Sequence, residues 1–134
     1  MDGVTTFYEE VGGFETFRTI VTRFYEGVAT DEVLRPLYPE EDLAPAAERF
    51  MLFLVQYWGG PTTYSTQRGH PRLRMRHAPF AVTMEARDHW LRHFRAGLDA
   101  VELTPEQDAQ FWGYIEHAAT FMVNTQQVPA PRDS

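Results

Sequence analysis

The chain contains no cysteine, which removes disulfide scaffolds, thiol nucleophiles and cysteine-ligated metals and leaves histidine and carboxylates as candidate metal ligands. Lysine is also missing, so all 12 cationic side chains are arginines, set against 19 acidic ones for a net charge of −7. A chain this acidic is not expected to bind nucleic acid, because neutralising phosphates needs a clustered cationic excess. Long apolar runs are absent too, so no segment is expected to cross or insert in a membrane. The first residues lack the basic segment and apolar stretch of a secretory signal, and the expected location is cytoplasmic. No internal repeat is visible, and no stretch shows the alternation of a half-buried strand.

What is present fits one folded domain. A length of 134 residues matches a single hydrophobic core, and 43% apolar with 23% charged residues is a soluble, globular balance. We expect the domain to cover residues 1–127. Residues 128–134, with Pro129, Pro131 and no periodic apolar positions, are expected to form a disordered tail. Aromatic residues reach 14%, which suits either an aromatic core or a flat ligand. One basic cluster, Arg68, Arg72, Arg74 and Arg76, interrupts the acidic chain and could meet a small anion.

The apolar spacing predicts an all-α fold. Phe7 to Val11 reads as a short helix stopped by Gly12 and Gly13. Phe17, Val21, Phe24 and Val28 then mark a helix from Phe14 to about Ala29, with Tyr25 beside that face. Asp31 can cap a short piece over Val33 and Leu34, and Pro36 with Pro39 predicts an irregular loop around Tyr38. Pro45 suits the first turn of a helix with Ala46, Phe50, Leu54, Tyr57 and Trp58 on its buried face, ended by Gly59, Gly60 and Pro61. Thr62 to His70 reads as a polar loop, and Pro71 to Pro79 as a short helical stretch ending near His77. Thr83 and Glu85 start a helix carrying Trp90, Leu91, Phe94, Leu98 and Val101 on one stripe. Thr104, Pro105 and Gln107 spell a capping box ahead of Phe111, Ile115, Ala118 and Met122.

Helical geometry sorts the five histidines. His89 and His93 have the i, i+4 spacing that lets two imidazoles share a metal, but both lie more than about 100° from the centre of the Trp90/Phe94/Leu98 stripe and are expected in solvent. His117 falls opposite its helix's apolar face and His70 in a loop, so both are expected at the surface. His77 shares a face with Leu73 in a proline-framed segment. Spacing does not decide between a hydrogen-bonded core histidine and a metal ligand there.

The combination Phe24-Tyr25, Tyr38-Pro39, Gln56-Tyr57-Trp58-Gly59-Gly60-Pro61 and the block Gly69 to Phe80, with Trp90 thirteen residues after His77, resembles the group II truncated haemoglobins of bacteria. The resemblance spans Phe7 to Asn124. It implies a shortened globin, a two-over-two helical sandwich in which two antiparallel helix pairs enclose haem b. It implies His77 as the proximal iron ligand, and Tyr25, Tyr38 and Trp90 as distal hydrogen-bond donors. Ala46 aligns where classical globins carry a distal histidine, with Phe50 one turn on, and a small residue there would leave ligand entry open. Phe50, Leu54 and Leu73 are expected against the macrocycle. Arg74, about 60° from His77 on the helical wheel, is the first choice for a propionate partner, with Arg76 next.

The resemblance further implies binding of dioxygen and related diatomic ligands at a pentacoordinate ferrous haem. Three donors aimed at a partly negative ligand imply slow release, which favours redox detoxification, by nitric oxide dioxygenation or peroxidase-like turnover, over carriage. Such chemistry needs an outside reductant. Passive oxygen storage, transport or sensing is the alternative, and a haem-free helical interaction module is a third. A homodimer is left open.

Overall fold

The computed structural model describes residues 5–69 and 82–124. Among them the secondary structure is wholly helical: α1 (Phe7–Glu10), α2 (Phe14–Val28), a 3-10 turn (Arg35–Leu37), α3 (Ala44–Tyr57), α4 (Thr63–Arg68), α5 (Met84–Asp99) and α6 (Pro105–Met122). Helix α2 packs most extensively on α5, then on α3, while α5 also packs on α6. This is the two-over-two sandwich, with α2 and α3 in one layer and α5 and α6 in the other. No described helix is long and apolar enough to cross a membrane.

The caps explain where the long helices begin. The Thr83 side chain accepts the Ala86 N–H at 3.0 Å. At Thr104 the expected capping box forms in full: its hydroxyl accepts the Gln107 N–H at 3.1 Å and the Gln107 side-chain oxygen Oε1 accepts the Thr104 N–H at 3.0 Å. A second box, Thr6 with Glu9, starts α1. These contacts satisfy backbone donors that a helix end leaves bare.

Packing then fixes the crossing. Phe17, Phe24, Phe94 and Phe111 are fully buried, together with Ile20, which the periodicity of α2 did not single out. Burial of side chains of this size stabilises the fold by about 1.5–3 kcal/mol each. Two glycines let α2 and α5 approach closely. A Cβ on Gly97 would stand 2.7 Å from the Ile20 carbonyl oxygen, and one on Gly27 would overlap the His93 ring.

Two expectations need correction. The polar stretch after Pro61 is not a loop, because Gln56 reaches from α3 to accept the Ser65 N–H at 2.9 Å and donates to the Ser65 hydroxyl at 2.7 Å. That side chain satisfies an orphan donor in the first turn of α4, and Tyr64 is buried behind it. Tyr57 was assigned to the buried face of α3, yet it is 49% exposed, with its ring laid on Tyr114 of α6 instead of in the core. The predicted tail 128–134, and the boundary before it, lie outside the described residues.

Candidate ligand cavity

The helices leave a cavity of about 400 Å³ between the layers, a size in the range of small-molecule and cofactor sites. Tyr25, Tyr38, Ala46, Phe50, Leu54 and Trp90, all singled out from the sequence, line this one space. Each comes from a different turn of the fold. The last turn of α2 carries Tyr25, and α3 contributes Ala46, Phe50 and Leu54 at successive turns of one face. Trp90 comes from α5, and Tyr38 from the extended residue that ends the 3-10 turn. Asp31 positions that turn by accepting the N–H groups of Val33 at 2.8 Å and Leu34 at 3.0 Å, as expected. Arg35 holds the following loop by donating to the carbonyls of Tyr38, Glu40 and Glu41.

The aromatic rings lock each other. Phe24 lies 4.9 Å from Trp90 and 4.8 Å from Tyr25, edge to face in both pairs, and Trp90 stacks on Phe94 at 5.4 Å. Tyr25 and Tyr38 meet edge to face at 5.7 Å. Such geometry leaves the polar tips little freedom. The Tyr25 hydroxyl and the Trp90 indole N–H both interact with the Tyr38 hydroxyl. Two internal contacts use two of the three N–H and O–H groups, so one phenol O–H is left over as a donor. Burial pushes both phenols above their ordinary titration range, with Tyr38 and Glu40 adding to the rise at Tyr25 while Arg49 opposes it. Both stay protonated, and so remain donors, at neutral pH.

The lining also holds residues that sequence reasoning passed over. Glu40 and Arg49 form an ion pair at 2.8 Å on the lining, and this contact holds the Glu40 carboxyl below its usual range. Arg87, Phe53, Tyr64 and Tyr114 complete much of the wall, beside Arg68 of the expected basic cluster and Met122 of the closing helix's expected apolar face. The only advance signal for Tyr114 was its place one residue before Ile115 on the closing helix. Apolar walls, convergent neutral donors and several arginines fit a flat, mostly apolar macrocycle that carries carboxylates.

His77, Leu73, Arg74 and Arg76 lie outside the described residues. Arg68 and Val82, which belong to the described chain on either side of that stretch, both line the cavity.

His89 and His93 are not solvated, contrary to expectation. Both rings close on the buried carboxylate of Asp31, His93 Nε2 at 2.7 Å from Oδ2 and His89 Nδ1 at 3.0 Å. Their angle on α5 was read correctly, but the end of α2 covers that side of the helix. Burial would raise the Asp31 carboxyl, yet the bonds from His93, His89 and the Leu34 and Val33 N–H groups outweigh it and hold the group well below the usual carboxylate range. No group of three or more histidine or acidic side chains suited to a metal ion occurs among the described residues.

Comparison with known proteins agrees with this architecture. The family model for bacterial-like globins matches residues 6–124. Group 2 truncated hemoglobin YjbI of Bacillus subtilis is 41% identical over 117 residues, covering 87% of each chain. Among solved structures, a thermostable hemoglobin from the actinobacterium Thermobifida fusca is 58% identical with a TM-score of 0.88, covering 96% of this chain and all of that one. The truncated oxygen-avid haemoglobin from Bacillus subtilis is 40% identical with a TM-score of 0.84, covering 90% of this chain and all of that one. The cavity, the two-over-two layering and these matches converge: the chain belongs to the bacterial-like globins and, within them, to the group II truncated haemoglobins, whose cofactor is iron haem.

Proposed function

We propose that this haemoglobin holds dioxygen tightly at a pentacoordinate ferrous haem ligated by His77, and uses that retention for redox detoxification, through nitric oxide dioxygenation or peroxidase-like turnover. The carrying observation is the donor cluster on the cavity wall, in which Tyr38 meets both Tyr25 and Trp90 and one phenol hydroxyl is left over. When bound, the haem iron supplies an open coordination position and the electron density that makes a diatomic ligand partly negative. The chain's own contribution is to orient donors before the ligand arrives, so no reorganisation is needed to meet that charge. Phe50 and Leu54 exclude water from the same space, which strengthens each donor. Ala46, small and facing the cavity, leaves a way in.

A hydrogen bond to a charged partner contributes about 1.5–3 kcal/mol, so each donor slows ligand release by about tenfold to a hundredfold. Release that slow suits chemistry on the retained ligand better than carriage. The oxygen-avid description of the Bacillus subtilis relative supports the same reading. An outside reductant would return the iron to the ferrous state.

His77 is the proposed ligand because its proline-framed segment runs between Arg68 and Val82, both on the cavity wall. Arg74 and Arg76 of the same segment are the proposed propionate partners, with Leu73 against the macrocycle. Stopped-flow oxygen dissociation provides the test. Trp90→Phe and Tyr38→Phe should each release oxygen about tenfold faster or more, by the hydrogen-bond energies above. Rates within twofold of wild type would favour passive storage or transport. His77→Ala protein should take up haem without the spectrum of a histidine-ligated iron, or not take it up at all.

A further inference from the structure

The loop after Tyr38 and the cavity-facing side of α3 are joined by a pair of opposite charges. Of the ion pairs among the described residues, Glu40–Arg49 alone has both partners on the cavity lining. Arg49 stands one turn after Ala46 and next to Phe50, so its side chain starts from the lining face of α3. Glu40 is fixed from the loop side, because Arg35 donates to its carbonyl at 2.8 Å and to that of Tyr38 at 3.0 Å. The two side chains meet at 2.8 Å and are 37% and 34% exposed for Arg49 and Glu40. Charges that line a cavity and still reach water mark its rim.

We propose that Glu40 is a specificity-determining residue: by holding Arg49 at the rim and cancelling its charge, it keeps the cavity a site for neutral diatomic ligands and disfavours small anions. The inference rests on ligand binding at a haem in this cavity, and adds what that site rejects.

Tyr25, Tyr38 and Trp90 are neutral donors, and such donors meet a fully charged anion as readily as a polarised diatomic molecule. Selectivity against anions therefore has to come from elsewhere on the wall. A lone guanidinium would work the wrong way, since Coulomb energy grows with the charge that it meets and an anion carries more than a polarised neutral ligand. A carboxylate in contact with that guanidinium turns a single charge into a dipole, whose field falls off faster with distance. Both charges are felt inside the cavity: Arg49 favours the Tyr25 phenolate, Glu40 opposes it, and Glu40 acts on Tyr38 in the same sense. Small anions compete for ferric iron, so a cavity that disfavours them leaves the resting protein open to its reductant.

Haem-loaded ferric protein is titrated with fluoride and with azide at constant ionic strength, and the ferrous protein with carbon monoxide as the neutral probe. One charge at the rim, screened in part by water and salt, should change anion affinity by about threefold to tenfold. Glu40→Gln is expected to bind both anions tighter by that factor and Arg49→Gln to bind them weaker. The double variant should return to within about twofold of wild type, and carbon monoxide affinity should move by less than about twofold in all three. Each single variant breaks the same contact, so a merely structural role moves both in one direction, whereas charge moves them in opposite directions. Anion affinities that shift the same way in both single variants, that do not shift, or that shift no more than carbon monoxide does overturn the inference and leave ligand binding at the haem standing. Wild-type protein that takes up no haem, or binds none of the three probes, overturns the underlying reading as well.

Discussion

Two polar clusters, Tyr25–Tyr38–Trp90 and Asp31–His89–His93, draw on the same three pieces of chain. The end of α2 and the loop after it supply Tyr25, Asp31 and Tyr38, and α5 supplies Trp90, His89 and His93. On one side of α5 a buried carboxylate meets two imidazoles and two backbone N–H groups, so its acceptor capacity is filled within the protein. On the other side, three neutral groups bond one another and still leave a donor over. Satisfied charge anchors a helix, whereas a surplus donor is kept for something that arrives from outside. Adjacent residues on one helix, His89 and Trp90, thus belong to a strut and to a ligand site.

Removing the centre of the strut is expected to have the largest effect. Asp31→Ala strands two imidazoles and the Val33 and Leu34 N–H groups in a mostly buried place, and costs about 3 kcal/mol by the usual range for a broken buried network. At this chain length that is a fall of about 10 °C in the melting temperature. Because the loop that holds Tyr38 begins at Asp31, the oxygen dissociation rate should also rise. Calorimetry and stopped flow on one preparation check both. Unchanged melting would remove the distinction between strut and site.

Acid titration sharpens the comparison, because of the two clusters only the strut contains a carboxyl, and the depressed Glu40 beside the cavity is common to wild type and variant. A group whose folded-state pKa lies below its unfolded value of about 3.9 stabilises the fold above that value and ceases to do so as pH falls through the folded one. Asp31 is held in that direction, so its contribution is complete at neutral pH and starts to fade below about pH 5. Melting temperature followed from neutral pH downward should decline less steeply in Asp31→Asn than in wild type. Parallel curves would mean that the carboxylate is not what holds the helices there.

The two clusters were unequally legible in the sequence. Tyr25, Tyr38 and Trp90 were named in advance because they stand in a family pattern, and the cap residues Thr83, Thr104 and Asp31 announced their own local bonds. Helical angles could place His89 and His93 off the stripe of α5 but could not show that a carboxylate 58 and 62 residues away covers that side. The same blindness hid α4, whose start depends on Gln56 from another helix, and put Tyr57 in the core when its partner is a cavity-lining ring of α6. Local patterns reveal what a segment does with its own backbone. Contacts between distant segments reverse the reading wherever a polar residue finds a partner or an apolar one finds a rim.

The smallest expected effect tests whether strut and site are separate. His89→Ala removes one imidazole, while Asp31 keeps His93 at 2.7 Å and both backbone N–H groups. The carboxylate is left short of one bond rather than stranded, and a partly exposed hydrogen bond to a charged partner is worth about 1.5 kcal/mol, or about 6 °C in melting temperature. Trp90, the next residue, is held by rings at Phe24, Phe50 and Phe94 and not by the strut, so its indole should keep its aim. The oxygen dissociation rate of His89→Ala is accordingly expected to stay within twofold of wild type although the fold is weakened. A faster release matching that of Trp90→Phe would mean that the imidazole positions the distal donor through the turn of α5, and the two clusters would then have to be treated as one device.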